Sequence, residues 1–241
     1  MSDAPDLFDA ESRALLAARL AFDDAASPPG AHRQALGELL TSYERLLRET
    51  RRMVRRSDRA ELEMNQLNQR LQDLTGQLEY RATHDPLTGV LNRAAIIERS
   101  NRYLASDSLA LIVLDIDHFK RVNDSFGHPV GDTVICGVVD CLKGVAPSIA
   151  QIGRVGGEEF TALLPGLSLE SAAHAAESMR RAIAAHDFQL PDRSRVTASF
   201  GVSWQVQGSS FDAAYGSADE ALYQAKRRGR NQVARAALAE A

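Results

Sequence analysis

The stretch IAQIGRVGGEEFTALL, residues 149–164, places two glycines and two glutamates between two short apolar runs. The runs Ile149 to Val155 and Phe160 to Leu164 have the length and composition of strands. The two glycines let the chain turn and let its backbone approach a ligand closely. This stretch therefore predicts a β-hairpin. Neighbouring side chains of a strand project to opposite sides, so we expect different roles for Glu158 and Glu159.

A second acidic pair, Asp115 and Asp117, follows the continuous apolar run Leu109 to Leu114, which is typical of a buried strand. Sheet proteins commonly bind ligands at the carboxyl ends of strands, and both carboxylates share one face if the strand continues. Such hard oxygen ligands suit Mg²⁺ bound together with substrate phosphates, although a strand-end aspartate also commonly caps the next helix. Combined with the two glutamates, Asp115 predicts a three-carboxylate centre for phosphoryl or nucleotidyl transfer. The alternative for the glutamates is an exposed acidic turn.

Three basic side chains could balance phosphate charge near these carboxylates. Lys120 follows the acidic pair, and Lys226 and Arg230 stand four residues apart near the end of the chain. They share one face if the last helix reaches that far. The alternative is surface charge that favours the dipole of a helix C-terminus.

Helical and strand patterns alternate between these motifs. Helical periodicity runs through Val130 to Leu142, Leu169 to Ala185 and Phe211 to about Arg228, and Val196 to Trp204 reads as a strand. The pattern predicts an α/β (α+β) fold with helices packed on a sheet.

The N-terminal third of the chain predicts helices only. A short amphipathic helix from Asp9 to Asp24 ends at the break Ser27 to Gly30. Two interleaved series with seven-residue spacing follow: Leu36, Tyr43, Thr50, Ser57, Met64, Leu71 and Leu78, and Leu39, Leu46, Met53, Ala60, Leu67 and Leu74. This a/d heptad pattern predicts a coiled coil with a partner helix. A third apolar series, Leu40, Leu47 and Val54, offers a surface on which the first helix could pack.

These patterns divide the chain into an N-terminal helix and break over residues 1–30, a coiled-coil stalk over 31–79, a catalytic domain over 80–235 and a tail over 236–241. The middle of the stalk holds an arginine cluster, Arg51, Arg52, Arg55, Arg56 and Arg59, beside the polar seam residues Thr50 and Ser57. The cluster reads as a solvated face, or as a place where a regulator acts.

Composition excludes several classes of function. With 241 residues and a formal net charge of -4, the chain lacks the basic excess of a protein that coats nucleic acid. Cys136 and Cys141 form no zinc or disulfide pattern, and no apolar run approaches the length of a membrane span. We therefore expect a cytoplasmic protein with one globular domain and a helical extension.

Several stretches, taken together, resemble the GGDEF domain of diguanylate cyclases. They are DPLTGVLNR (85–93), DIDHFKRVND (115–124), FGHPVGD (126–132), RVGGEEF (154–160), SFGVS (199–203) and ADEALYQAKRRGRN (218–231), in the family's order and spacing. The resemblance covers Tyr80 to Val233. It implies the GGDEF fold, which is similar to nucleotidyl cyclase and polymerase palm domains, and the condensation of two GTP into cyclic di-GMP.

The resemblance also implies roles for individual residues. Mg²⁺, or Mn²⁺ in its place, would be held by Asp115, the carbonyl of Ile116, and one or both of Glu158 and Glu159. Either Glu158 or a hydroxide on the metal would take the proton of the ribose 3′-hydroxyl, and the sequence leaves open which glutamate is base and which is ligand. The remaining positions would contact GTP: Asn123, Asp132 and His128 at guanine, and His118, Phe119, Lys120, Lys226 and Arg230 at the phosphates. Gly156 and Gly157 would bind the substrate as well.

Since each domain of this family binds one GTP, two domains must face each other, and the heptads supply a homodimer stalk that could regulate their meeting. A regulatory protein on the N-terminal helices is expected as well. Many family members carry an inhibitory RxxD site at the positions occupied here by Pro147, Ser148, Ile149 and Ala150, so product inhibition there is expected to be weak or absent. Two alternatives stay open: a catalytically inactive binding or dimerisation module, and a cyclase with a mixed guanine/adenine product.

Overall fold

The structure is a computed structural model that describes residues 8–24 and 28–237. The chain forms two compact units, which divide between Thr75 and Gly76. The second unit begins close to residue 80, where the sequence places the start of the catalytic domain.

Two helices make up the N-terminal region. Helix α1 spans Asp9–Asp23, and α2 spans Pro29–Thr83, a run of 55 residues. Pro29 stands at the first helical position of α2, where its fixed φ and missing N–H are tolerated. The helix continues four residues beyond the expected end of the stalk at 79. Of the expected break, Ser27 lies outside the described residues.

Helix α1 lies against a different part of α2 than the sequence suggested. Arg45 of α2 donates two hydrogen bonds to Glu11 Oε1 of α1, at 2.7 and 3.0 Å. On this side Leu39 and Leu46 are partly buried. The third apolar series is not covered, since Leu40, Leu47 and Val54 are exposed. The expected packing of α1 on that series is therefore wrong.

The second unit contains a six-stranded sheet in the order β1-β3-β4-β2-β5-β6. The strands are β1 Leu91–Asn92, β2 Leu109–Ile116, β3 Gln151–Arg154, β4 Glu159–Pro165, β5 Ala198–Gln205 and β6 Val233–Arg235. Strands β3 and β4 pair antiparallel, which confirms the hairpin around the two glycines. Strand β2 lies between β4 and β5, antiparallel to both.

Five helices pack on this sheet or connect its strands. They are α3 Arg93–Ser106, α4 Phe119–Phe126, α5 His128–Val145, α6 Leu169–Ala185 and α7 Phe211–Arg227. The mixed α/β fold with a long preceding helix confirms the expected fold class. The sequence patterns predicted α5, α6 and α7 but not α3, α4, β1 or β6.

The continuous apolar run of β2 is explained by burial on both sides of the sheet. Every residue of β2 is buried. Alternate residues belong to different cores, with Ile112 and Leu114 in the cluster that includes α5 and α6, and Leu111 and Val113 in the cluster that includes α3 and α7. The strand is thereby fixed from both faces, which gives its carboxyl end a rigid position.

Within residues 8–24 and 28–237, no helix combines the length and apolar character needed to cross a membrane. Of the expected C-terminal tail, Ala236 still donates its N–H to the carbonyl of Val202, and residues 238–241 lie outside the described part of the chain.

Candidate active site

The centre of the candidate site is the carboxylate of Asp115, near the end of the central strand. Asp115 is 6% exposed and pairs with Glu159 on β4 and with Ser199 on β5. Lys226, near the end of α7, places its Nζ atom 2.8 Å from Asp115 Oδ2. The antiparallel register thus brings the acidic hairpin, the strand-end aspartate and the basic helix end to one edge of the sheet.

Two carboxyls of this site have raised pKa values. Burial raises the pKa of Asp115, and the Asp117 charge raises it further, although Lys226 and Arg230 act in the opposite direction. Burial likewise raises the pKa of Glu158, and the charges of Asp115 and Glu159 add to that effect. A site with raised carboxyl pKa values favours the approach of a cation.

The two glycines of the turn leave space for neighbouring groups because they have no side chains, and their φ angles are ordinary. Neither Gly156 nor Gly157 has a left-handed φ. A Cβ on Gly156 would lie 2.5 Å from Oε2 of Glu159, so that position must be glycine for the glutamate to keep its place. Gly157 faces open space, and its carbonyl accepts a hydrogen bond of 2.7 Å from the Arg154 guanidinium.

Glu159 has a neighbour that the sequence patterns did not indicate. Burial raises the pKa of Tyr215 on α7 to about 12, and the charge of Glu159 is the next largest cause. Tyr215 packs with the core cluster on the α3 and α7 side of the sheet. Only its placement in an apolar helical pattern was visible in the sequence, and that pattern indicates core packing.

Lys226 and Arg230 approach the site by a different route than expected. Helix α7 ends at Arg227, so the two residues do not share one helix face. Arg230 lies in the following loop with a left-handed φ of 62°, and its N–H is bonded to the carbonyl of Ala225. Its charge nevertheless lowers the pKa of Asp115, which indicates that the guanidinium acts on the same site.

Helix α4 begins at Phe119, three residues after β2 ends at Ile116. His118 precedes the helix with a left-handed φ of 58° and makes no side-chain cap. The side chain of Phe119 is buried in the core, so only its backbone N–H could meet a phosphate, while Lys120 is exposed. The first N–H groups of a helix have no intrahelical acceptor and therefore suit an anion.

A buried amide oxygen without a partner marks the expected guanine pocket. Asn123 Oδ1 on α4 is inaccessible and accepts no hydrogen bond. A Cβ on Gly131 of α5 would lie 2.0 Å from this oxygen, so the glycine makes room for the amide. Asp132 is the next residue of α5, four residues after His128, and both are exposed. An unpaired buried acceptor can accept a hydrogen bond from a ligand that carries N–H donors.

Asp117 does not join the carboxylates at the hairpin. Strand β2 ends at Ile116, and the Asp117 carboxylate accepts hydrogen bonds from Thr197 Oγ1, Ser199 Oγ and the N–H of Asn231, at 2.7, 2.7 and 3.1 Å. The two aspartates of the DID motif therefore have separate roles.

The donor set fits a hard divalent cation. Asp115, Glu158 and Glu159 offer only oxygen, and Ile116 offers a carbonyl. In the described part of the chain, no three His, Cys, Asp or Glu side chains are already grouped as metal ligands, and Asp115 is paired with Lys226 instead. The placement of these residues as metal ligands, and of the others at guanine and phosphate, stays a prediction.

The fold and this site have the organisation that the sequence motifs predicted, with Asp115, the glutamate hairpin and Lys226 at one edge of the sheet. Residues 82–232, more than half of the chain, match the family model described as "Diguanylate cyclase, GGDEF domain". The chain therefore belongs to the GGDEF-domain family.

Curated relatives share this domain within longer chains. Diguanylate cyclase DgcP of Pseudomonas aeruginosa is 42% identical over 159 residues, which is 64% of this chain and 24% of the relative. Diguanylate cyclase VdcA of Vibrio cholerae is 37% identical over 182 residues, which is 70% of this chain and 53% of the relative. The chain thus spans about a quarter to about a half of the length of these two relatives.

Solved structures extend the similarity into the N-terminal helices. The coiled coil and GGDEF domain of DgcB from Caulobacter crescentus, in complex with c-di-GMP, has a TM-score of 0.68 and 32% identity, covering 72% of this chain and 96% of that one. Diguanylate cyclase SiaD from Pseudomonas aeruginosa, in complex with its activator SiaC, has a TM-score of 0.63 and 31% identity, covering 93% of this chain and 86% of that one.

Proposed function

We propose that this chain is a diguanylate cyclase that condenses two GTP molecules into cyclic di-GMP and two pyrophosphates across a dimer. The observation that carries the proposal is the convergence of Asp115, Lys226 and the glutamate hairpin at one sheet edge. The unpaired oxygen of Asn123 supports guanine as the base that is bound. Guanine presents adjacent N–H donors on its Watson–Crick edge, which a carboxylate such as Asp132 and an amide oxygen can accept.

Substrate phosphates would be held by the basic groups and the α4 N-terminus. The backbone N–H groups of His118 and Phe119, with Lys120, Lys226 and Arg230, would neutralise the triphosphate. Gly157 presents no side chain on its open side, so that backbone and phosphate can approach closely.

The cation would be Mg²⁺, or Mn²⁺ in its place, held by Asp115, the carbonyl of Ile116, and one or both of Glu158 and Glu159. When bound, such an ion stabilises negative charge on the transferring phosphate. Burial raises the pKa of Glu158, which makes its carboxylate a stronger base, and either this carboxylate or a hydroxide on the metal would accept the proton of the ribose 3′-hydroxyl.

In each half-reaction the 3′-oxygen of one GTP forms a bond to the α-phosphorus of the other, and the bond to the bridging oxygen of pyrophosphate breaks. Two such steps close the ring, and each 3′-hydroxyl loses one proton. Since one domain binds one GTP, the two domains of a dimer must face each other. Joining them on a coiled coil raises their effective concentration.

We also propose that a protein partner regulates the enzyme through the N-terminal helices. SiaD, which aligns with 93% of this chain, has been solved in complex with its activator. The arginine cluster on α2 is exposed and would favour an acidic partner surface.

The proposal is tested by incubating the purified protein with Mg²⁺ and GTP, with ATP, or with both, and identifying products by chromatography. Cyclic di-GMP from GTP alone is expected. A guanine/adenine product would replace the proposed product and keep the reaction class. Absence of turnover in all three mixtures would contradict the proposal and favour an inactive binding module.

A further inference from the structure

The second aspartate of the DID motif, Asp117, is 7% exposed and has no role in the proposed reaction. Burying a carboxylate is costly unless its oxygens are fully bonded. Here both oxygens are used: Oδ1 accepts from the Ser199 hydroxyl, and Oδ2 accepts from the Thr197 hydroxyl and from the N–H of Asn231. None of these partners is a cation.

The bond to Asn231 is notable because the loop that contains it is strained. Gly229, Arg230 and Asn231 all have positive φ angles, of 114°, 62° and 44°. For residues with a side chain this left-handed conformation is unfavourable, and it persists only when neighbouring contacts fix it.

A second contact holds the side chain of the same residue. Arg180 on α6 donates a hydrogen bond of 2.8 Å to Asn231 Oδ1. Glu177 in turn holds Arg180 through two hydrogen bonds of 2.8 Å, and hydrogen bonding from Arg180 is the largest cause that lowers the pKa of Glu177 to about 2.

The loop carries Arg230, whose charge acts on Asp115. We propose that Asp117, Asn231 and Arg180 are positioning residues for substrate, an inference that rests on the proposed function. Together they hold the left-handed loop so that Arg230 points its guanidinium at the triphosphate of GTP.

This role predicts a selective defect. Loss of the loop's supports should weaken binding of the triphosphate and leave binding of guanine unchanged, because Asn123 and Asp132 lie on α4 and α5. Suitable probes are 3′-deoxy-GTP and 3′-deoxy-GMP, which lack the attacking hydroxyl and cannot be turned over. Their dissociation constants would be measured with the full chain in Mg²⁺.

The variant Arg180→Ala is expected to weaken 3′-deoxy-GTP about tenfold, the effect of one lost charge-assisted hydrogen bond, and 3′-deoxy-GMP less than about twofold. Its matched control is Arg181→Ala, because Arg181 also donates a hydrogen bond to Glu177, whereas the hydrogen bond to Asn231 Oδ1 comes from Arg180. The control should bind both nucleotides normally.

Asp117→Ala should show the same selective loss, whereas Asp117→Asn should be close to wild type. An amide oxygen at the Oδ2 position can still accept from Thr197 and Asn231, and the amide NH₂ can donate to the Ser199 hydroxyl. Combining Arg180→Ala with Arg230→Ala should weaken 3′-deoxy-GTP no further than Arg230→Ala alone.

Equal weakening of the two nucleotides, full additivity with Arg230→Ala, or an equal loss in Arg181→Ala would overturn the positioning role. Product formation from GTP is measured in parallel. If the wild-type chain makes no product, but the variants lose affinity for 3′-deoxy-GTP and keep it for 3′-deoxy-GMP, the proposed reaction is refuted and the positioning role stands.

Discussion

At the scale of single residues, the site combines groups whose charges are poorly balanced with groups that have no partner. The carboxyls of Asp115 and Glu158 have raised pKa values because burial and neighbouring carboxylates disfavour their charged forms. Asn123 keeps a buried acceptor unpaired. Such features reduce stability and are retained where a ligand uses them.

The raised pKa values predict the acid side of the pH profile. Asp115 and Glu158 must be deprotonated to hold a cation or accept a proton, so activity should fall with decreasing pH at a higher pH than for ordinary carboxyls. A higher Mg²⁺ concentration favours the charged forms of the carboxyls, so the acid side of the activity profile should move to lower pH. The profile of kcat/KM at two Mg²⁺ concentrations checks both effects, and a limb that ignores Mg²⁺ would contradict the assignment.

Removing one of these carboxyl charges should lower activity without lowering the stability of the fold. In Glu158→Gln we expect at least about a hundredfold loss of kcat, since a ligand or base is removed. A carboxyl whose pKa is raised in the folded state loses stability as pH increases through that range, so its replacement should leave Tm at neutral pH unchanged or higher. Calorimetry of the metal-free protein checks the second part, and a clear drop in Tm would show that Glu158 stabilises the fold.

The sequence indicated the chemistry of these residues better than their geometry. Asp115 and Glu159 could be associated because both flank strong strand patterns, and they are indeed paired across β2 and β4. Arg230 was expected on a helix face and instead reaches the site from a left-handed loop. Asp117 was grouped with Asp115 by alternation, but hydrogen bonds from outside the strand decide its position.

At the scale of elements, long periodic segments were predictable and short ones were not. Helix α6 has the predicted bounds Leu169–Ala185, because a full amphipathic period and the Ser168 cap act together. Strand β1 has two residues, Leu91–Asn92, and exists through its pairing with β3. No local pattern of that length can indicate a strand, since the pairing partner lies far away in sequence.

The Arg154 side chain links the segment after α2 to the turn of the β3–β4 hairpin. Arg154 on β3 bonds the carboxylate of Asp85, which follows α2, and the carbonyl of Gly157 in the turn. The side chains of this ion pair are 15% and 18% exposed. Burial tends to raise the pKa of Asp85, but hydrogen bonds from Thr88 and the Arg154 charge outweigh it, and the pKa is lowered.

Asp85→Asn should therefore destabilise the fold by about 2 kcal/mol at neutral pH and lower turnover, because the arginine that supports the turn loses its partner. A carboxyl with a lowered pKa contributes stability above its unfolded pKa and loses that contribution as pH falls. The difference from wild type should shrink in acid, which denaturant titrations at two pH values can show. The Arg154→Lys variant keeps the positive charge but lacks the two guanidinium nitrogens that bond Asp85 and Gly157 at the same time. Normal turnover in this variant would contradict a role for the Gly157 contact.

The turn before β3 predicts how the proposed cyclase would respond to cyclic di-GMP. Ala150 donates its N–H to the carbonyl of Pro147, and Ile149 is 48% exposed. With neither guanidinium nor carboxylate at these positions, micromolar cyclic di-GMP should leave turnover unchanged. The double variant Pro147→Arg with Ala150→Asp should gain inhibition, measured as turnover against added product. Strong inhibition of the wild type would require another site.

At the scale of the whole molecule, the long helix exposes a surface that one chain cannot cover. From residue 53 onward, the large apolar side chains of the seam are 54% to 66% exposed: Met53, Met64, Leu67, Leu71, Leu74 and Leu78. Side chains of this kind repeated at heptad spacing are buried when two such helices supercoil. The proposed reaction needs two domains, and the stalk can bring them together.

Charged side chains placed in this seam should prevent dimer formation without changing the site in each domain. The double variant Leu67→Lys with Leu74→Lys would bury like charges against their copies, so we expect a monomer by sedimentation and at least about a tenfold loss of turnover at low protein concentration. Each isolated domain keeps its site, so the remaining activity should rise with the square of protein concentration. The matched control, Asn65→Lys with Gln66→Lys, adds the same charges beside the seam and should remain a dimer with normal turnover. Two outcomes would show that the coiled coil does not bring the two half-sites together. One is a seam variant that is monomeric and keeps its full turnover. The other is a chain that lacks only Asp9–Asp23, keeps the seam, and loses both dimer formation and turnover.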